Sequence, residues 1–310
     1  MGFWSLRKAA FLLLILNFSF FAGAQELEVV VEPVVSYNLS YTSDYLYETS
    51  GTLNSRLDWN ALYLFNAGCG LSLKKQSFIF KTSLLFNLPL ECGLMYDSDW
   101  RTPGLKTNLS KSDLYSGFGG ALEFYFSWEV PLAAGFNFYP IIAINDTYKT
   151  LRGKNTIGWC GDVNHTGLDH NLSWDDPAAK TVRKYDIDLY NNVAALYFGA
   201  GLGRTFGPVN LELAAMFTPI TYVYSVDHHH GKTGGSWYNM IQKALSYDLR
   251  FAAAYNFSKN YALNLSAAWA YCPVTKGLIY PYGYKYPYEE PSGISFSNLR
   301  AALSLKIKIR

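Results

Sequence analysis

Along the last stretch of the chain, Leu303, Leu305, Ile307 and Ile309 alternate with Ser304, Lys306, Lys308 and Arg310. The same period runs through Leu245, Tyr247, Leu249, Phe251, Ala253, Tyr255 and Phe257, interleaved with Ser246, Asp248, Arg250, Ala252, Ala254 and Asn256. It returns in Tyr261, Leu263, Leu265, Ala267 and Trp269, set against Asn264, Ser266 and Ala268. A period of two puts alternate residues on opposite faces of a β-strand. One face is therefore apolar or aromatic and the other small or polar. Ten such segments, near 28–48, 56–73, 77–97, 115–131, 134–153, 182–204, 208–227, 241–257, 260–276 and 292–309, predict an all-β chain. The joints at Lys74-Lys75-Gln76, Pro131-Leu132-Ala133, Phe206-Gly207-Pro208 and Ser258-Lys259-Asn260 are tight, and longer loops fall between them. An even strand count with tight turns at one rim and long loops at the other predicts a ten-stranded antiparallel transmembrane β-barrel of the outer-membrane type.

A soluble sandwich or lipocalin-like barrel would instead turn the apolar face inward. Length separates the two: many segments run about 17 to 20 residues, where strands of soluble proteins span roughly 3 to 10. A bilayer needs only about 9–11 residues per strand. The barrel should therefore project well beyond the membrane on its long-loop side, and a site could sit at that rim.

Composition agrees with a lipid-exposed surface. Charged residues make up 16% of the chain and aromatic residues 17%, against a usual charged share of roughly a quarter. The formal net charge of +2, with no basic cluster, points to no nucleic acid or acidic partner. Arg7 and Lys8 precede an apolar run from Ala9 to Phe21 and the small residues Ala22-Gly23-Ala24. That pattern predicts a secretory leader over residues 1–24, because the run is too short for a spanning helix. Residues 25–310 then form one domain, with no linker dividing them. Cys69, Cys92, Cys160 and Cys272 include no C-x-x-C pair, which argues against a metal or redox site. Strand phase puts Cys69 and Cys92 outward at different heights, so those two should not pair; whether Cys160 and Cys272 do is left open.

Phase also sorts the acidic residues. In the third segment Phe78, Phe80, Leu84, Phe86, Leu88, Leu90 and Leu94 share one face, and Lys81, Ser83, Asn87 and Glu91 the other, which continues to Asp97 and Asp99. In the first, Ser36, Asn38, Ser40, Thr42 and Asp44 face inward. In the seventh, Thr221, Ser225, Asp227 and His229 face inward, with a bulge expected near Pro219, where the parity of Leu211 and Leu213 reverses. Two sets of inward titratable groups, Asp97/Asp99 and Asp227/His229, thus come from strands four apart at one rim. Ten strands give a lumen roughly 20 Å across between backbones, which side chains would narrow to a cleft for an extended peptide. Taken singly, Asp-Ser-Asp reads as a turn cap or a weak calcium site, and His228-His229-His230 as an incidental metal-binding tract.

At these residues the sequence resembles the omptin family, the ten-stranded outer-membrane endopeptidases of Gram-negative bacteria. Leu57-Asp58-Trp59, Asp97-Ser98-Asp99-Trp100, Asp227-His228-His229 and Val274-Thr275-Lys276-Gly277 are similar to family segments in the same order along the chain. The resemblance implies a metal-independent, cofactor-free endopeptidase, monomeric and facing the cell exterior, that cleaves exposed polypeptides. Lipopolysaccharide or another outer-leaflet lipid is the requirement to be tested. In that reading Asp227 orients His229, a general base on water, while Asp97, supported by Asp99, holds the water from across the cleft. Asp44 would supply one acidic group of a side-chain pocket. Ser225 stands where family members that cut beside basic residues carry a second, which weakens the implied preference for Arg or Lys. The chain also ends in Ile309-Arg310 rather than in the aromatic residue common to such barrels. Two other readings compete: a catalytically silent barrel serving as a surface adhesin or structural protein, and a lipid-modifying barrel enzyme using Ser225 near His229.

Overall fold

The computed structural model describes residues 27–183, 186–230, 235–282 and 290–309; the expected leader over 1–24 lies outside them. Period-two alternation gives long strands: β1 (Glu28–Tyr47), β2 (Leu53–Lys75), β3 (Phe78–Asn87), β4 (Glu91–Asp99), β5 (Asn108–Trp128), β6 (Val130–Pro131) and β7 (Phe136–Cys160). They continue with β8 (Lys180–Arg183), β9 (Ile187–Phe206), β10 (Val209–His229), β11 (Ser236–Asn256), β12 (Tyr261–Tyr282) and β13 (Glu290–Lys308). Every pairing is antiparallel, and β1 pairs with β2 on one side and β13 on the other, so the sheet closes on itself. Closure pairs each long strand on both sides, the condition for a sheet to stand in hydrocarbon. Among the described residues no helix is long and apolar enough to cross a membrane.

Thirteen strands replace the ten expected, for local reasons. β3 and β4 both lie between β2 and β5, end to end, where one continuous strand was predicted. Pro89 interrupts them because it has no N–H to give the ladder. Ser116 bridges the gap, its Oγ donating to the Leu88 carbonyl at 2.5 Å and accepting from the Leu90 N–H at 3.1 Å. β6 and β8 are short pieces against β7. The strands also overrun their expected ends at the long-loop rim. β5 begins at Asn108 rather than 115, β7 reaches Cys160 rather than 153, and β11 begins at Ser236 rather than 241.

The two faces separate as their polarity dictates. Val35, Leu213, Phe217, Leu249, Phe251 and Leu265 are exposed on the outside, while Ser36, Ser40, Thr42 and Ser246 are buried within. The lumen near the tight-turn rim is filled with charge. Arg250 holds Asp248 through two hydrogen bonds, of 2.7 and 2.9 Å, and also bonds Glu123, and Lys81 lies 3.3 Å from Glu212. Further up, inward apolar residues pack the lumen: Trp59, Met95, Leu114, Leu151 and Leu189 in one cluster, Val223, Ile241, Ile294 and Phe296 in another. The interior is therefore plugged, and strands of 19 to 25 residues raise its upper rim clear of the outer apolar belt.

Two phase predictions fail on neighbouring residues, the first being Glu91, expected inward and found exposed. Cys92 is buried in the Trp59 cluster, not outward, because the chain changes parity between Leu90 and Glu91. A bulge at Gly93 changes it back, with the register slipping between Glu91 and Gly93. Gly93 has φ +148° and a Cβ there would lie 2.0 Å from the Asn60 carbonyl oxygen, so only glycine fits. All four cysteines are present as thiols.

Candidate active site

The upper half of β10 owes its facing to Pro219. Below it Ala214, Met216 and Thr218 are buried; above it Thr221, Val223, Ser225 and Asp227 are, and both ladders of the strand slip between these stretches. The slip turns Asp227 and His229 into the lumen. His229 Nε2 lies 2.9 Å from Asp227 Oδ2, and the imidazole edge packs on Trp237 at 4.6 Å between ring centroids. Trp237 stands directly across the ladder from Asp227. An imidazole that donates from Nε2 keeps its lone pair on Nδ1, free to accept a proton. The flanking histidines bond elsewhere: His228 Nδ1 to Ser236 Oγ at 2.8 Å and His230 Nε2 to Asp188 at 3.1 Å.

Asp44 projects from β1 beside this pair. It is 6% exposed, with Ser225 Oγ and Asn239 Nδ2 each donating to it at 3.5 Å. Asn239 is held in turn by Ser292 Oγ, which donates to its Oδ1 at 2.9 Å. On their own strands the last exposed large apolar residues before the site are Tyr41 on β1, Ile220 on β10 and Leu245 on β11, so along β1, β10 and β11 these groups lie beyond the outward apolar run. Burial pushes the Asp44 carboxyl up to about 7, the negative charge of Asp227 adds to the rise, and Ser225, Lys149 and Asn239 oppose it. Lys149 crosses the lumen beneath, its Nζ donating to Ser40 Oγ at 2.9 Å and Thr42 Oγ1 at 2.7 Å.

The facing wall is β4. Asp97 pairs across the ladders with Leu57 and Ser110, and Asp99 with Ser55 and Asn108, so both carboxylates share the inward face of Met95. Asn108 Nδ2 bridges Asp99 at 3.4 Å and Asp162 at 2.9 Å, and Arg101 lies 3.5 Å from Asp99. Asp162 caps the one-turn helix Val163–Thr166, which ties Asp99 to the long loop after β7. Three strands, β5, β7 and β9, separate β4 from β10 around the ring. Among the described residues no group of three His, Cys, Asp or Glu side chains is placed to hold a metal ion.

No protein-family model matches the chain, and no curated protein matches it by sequence. Among solved structures, the crystal structure of outer membrane protease OmpT from Escherichia coli matches with a TM-score of 0.79 at 14% identity, over 92% of this chain and 99% of that one. The chain has the omptin fold. The translocator domain of the autotransporter NalP from Neisseria meningitidis also matches, at 9% identity over 98% and 95% of the two chains, with a TM-score of 0.36. Neisserial surface protein A matches at 9% identity over 92% and 100%, with a TM-score of 0.29. At 14% identity the likeness to OmpT is one of fold.

On this omptin fold the predicted residues fall into three groups. Asp227 bonds His229, Asp44 bonds Ser225, and Asp97 and Asp99 occupy the inward face of β4. Ser225 Oγ serves Asp44, whereas a lipid-modifying nucleophile would engage His229. Of the segments carrying the resemblance, Trp59 is fully buried in the lumen, and Asp58 accepts from Ser43 at 2.6 Å and Arg56 at 2.8 Å. Val274-Thr275-Lys276-Gly277 lies within β12, with Lys276 over the Tyr47 ring at 5.7 Å. Sequence reasoning missed Trp237, Asn239, Ser292 and Lys149. The first two sit in a part of β11 whose alternation is broken at Lys243, where φ is +70°. Lys149 carried the one available signal, a lone cation on the inward face of its strand.

Proposed function

We propose that the chain is an omptin-like endopeptidase: a ten-stave transmembrane barrel of the outer membrane, its site open to the cell exterior. The observation that carries the reading is the 2.9 Å contact between His229 and Asp227 at the long-loop rim of a lumen that also bears Asp97 and Asp99. Asp227 accepts the Nε2 proton, fixes the tautomer and stabilises the imidazolium that forms. Nδ1 takes a proton from a water molecule, whose oxygen attacks the peptide carbonyl. Asp97, supported by Asp99, positions that water, and the proton taken up by His229 passes to the departing amine, which returns the imidazole to its neutral form. The chemistry asks for no metal or cofactor. Asp44 and Ser225 line the side-chain pocket, whose single carboxylate gives a weak preference for basic residues. Exposed polypeptides are the substrates, the working form is a monomer, and outer-leaflet lipid such as lipopolysaccharide is the accessory to test.

A peptide library offered to the refolded barrel, with and without lipopolysaccharide, tests this directly. Wild type should cleave, and Asp97→Asn and His229→Ala should not, while all three keep the folded mobility of unboiled samples on gels. Wild type that cuts nothing from about pH 5 to 8, where histidine changes charge, sinks the peptidase reading and leaves a silent barrel.

A further inference from the structure

Asp162 takes no part in the chemistry proposed above, but its carboxylate is joined to the wall that carries Asp99. It stands just beyond β7 and is 4% exposed. Asn108 Nδ2 donates to its Oδ2 at 2.9 Å and the Asn164 N–H to its Oδ1 at 3.0 Å, while His165 Nδ1 lies 3.0 Å from both oxygens. Burial raises the proton affinity of this carboxyl, but the bonds to His165 and Asn108 outweigh burial and hold it below its ordinary value. Asp162 therefore remains ionised, and an acceptor, through the neutral range. Its segment is fastened to the connection between β4 and β5. The Gly161 N–H donates to the Thr107 carbonyl at 2.9 Å, the Trp174 N–H to the Lys106 carbonyl at 3.1 Å, and Asn171 Nδ2 to Thr102 Oγ1 at 2.9 Å.

Asn108, 3% exposed on β5, divides the hydrogens of one amide nitrogen between two carboxylates, Asp162 at 2.9 Å and Asp99 at 3.4 Å. Among the described residues its buried Oδ1 has no hydrogen-bond partner. An orientation that leaves an acceptor unmet persists here because turning the amide over would set its oxygen against two anions. Asp162 is the shorter and stronger anchor. A bond of 3.4 Å is long for an amide donor, so Asp99 alone holds the nitrogen weakly. Without Asp162 the amide is free to turn, and Asp99 loses its donor. We propose that Asp162 is a positioning residue for the β4 carboxylates: by fixing Asn108 it keeps an N–H on Asp99, holds Asp99 charged and in place beside Asp97, and makes this wall of the cleft depend on the seating of the segment after β7. The inference rests on the peptidase reading and adds to it a residue that touches neither the water nor the peptide.

The test compares peptide cleavage by the refolded full chain as wild type, Asp162→Asn and Asp162→Ser, each followed from about pH 5 to 9, across the range where histidine titrates. Both substitutions remove the charge and both keep a cap for the Asn164 N–H. Asparagine also keeps an oxygen within reach of Asn108, and serine is too short. Asp162→Asn should hold kcat within about threefold of wild type, whereas Asp162→Ser should lose about tenfold in kcat with KM within about twofold, since the loss falls on chemistry rather than on binding. The acid limb of kcat/KM should lie about half a pH unit higher in Asp162→Ser than in Asp162→Asn, because a carboxylate that loses a donor holds its proton more tightly. Arg101 at 3.5 Å from Asp99, His165 beside Asp162, Asp97 on the same face and His229 across the cleft are common to both variants, so their titrations cancel in the comparison. Unboiled gel mobility should match wild type in both. Equal kcat and equal acid limbs in the two variants, or a loss carried by KM, overturns the inference while wild-type cleavage leaves the peptidase reading standing; a wild type that cuts nothing overturns both.

Discussion

Asp44 gives the site a testable electrostatic signature. Replacing it by asparagine keeps the shape, with the amide oxygen accepting from Asn239 and the amide nitrogen donating to Ser225 Oγ, a hydroxyl that can turn to accept, so the main change is the loss of a titrating group. Burial raises that carboxyl from 3.8 to about 7 in the folded protein, so folding favours its protonated form. The stability it confers is fully present below about pH 4 and is lost as pH rises through about 7. A tenfold change in proton affinity is equivalent to about 1.36 kcal/mol, so wild type gives up roughly 4 kcal/mol by pH 8, of which roughly 1.5 is already gone at pH 5. Between those two values, wild type should therefore lose roughly 2.5 kcal/mol that Asp44→Asn retains. Urea unfolding in the same detergent or lipid at pH 5 and pH 8, followed by tryptophan fluorescence, reads the difference directly. A stability gap between the two proteins that does not change with pH would refute the assignment of Asp44 as a buried carboxyl charged only near neutrality.

Three further outcomes follow from the same geometry. Asp227→Asn should lower peptide turnover by about 10²- to 10⁴-fold, the range for losing the partner of a general base, with unboiled gel mobility unchanged; turnover within threefold of wild type would remove Asp227 from the mechanism. Lys149→Met removes a buried cation that opposes the charge of Asp44. Compared at about pH 7.5, above the value of about 7 to which burial raises Asp44 and below the value of about 8 to which burial lowers Lys149, the ratio of cleavage beside Lys or Arg to cleavage beside Leu should rise severalfold. A unit charge about 7 Å away is worth about 2 kcal/mol at an effective dielectric of about 20, and the gain should shrink above about pH 8, where Lys149 loses its charge. An unchanged ratio would show that Lys149 does not set the pocket's charge. Gly93→Ala should destabilise the barrel by about 2 kcal/mol or more, because the new Cβ would need to move the Asn60 carbonyl and hold φ at +148°; a wild-type unfolding midpoint would show that β4 tolerates another bulge.

Much of the fold was legible because the outside and the interior of the closed sheet each take one polarity on alternate residues. Where that polarity is strict, as from Val35 to Asp44 or from Leu245 to Tyr255, the expected facing is the observed one. Strand ends at the long-loop rim were not legible, because both faces of a strand above the belt meet water or protein and the alternation fades. That is why β11 looked five residues shorter than it is, and why Trp237 and Asn239 were lost from view.

The β4 carboxylates show how a facing can be read correctly over a path that is wrong. Extending one uninterrupted alternation from Leu84 to Asp99 puts Asp97 and Asp99 in the lumen, but the chain breaks at Pro89, enters β4 in the opposite phase with Cys92 inward, and recovers at the Gly93 bulge. A one-residue slip moves every later side chain to the other face, so one irregularity alone would have pointed both carboxylates outward. Two cancel. The same rule acts once on β10: a single slip at Pro219 changes which parity faces inward, and Asp227 and His229 reach the lumen because of it. Both halves of the site are thus set by ladder defects that lie at or just above the end of the apolar belt. Below that level the contrast between an apolar outside and a polar interior enforces regular alternation; above it the sheet can slip without misplacing apolar or polar side chains, and the long-loop rim is where functional groups can be re-aimed at least energetic penalty.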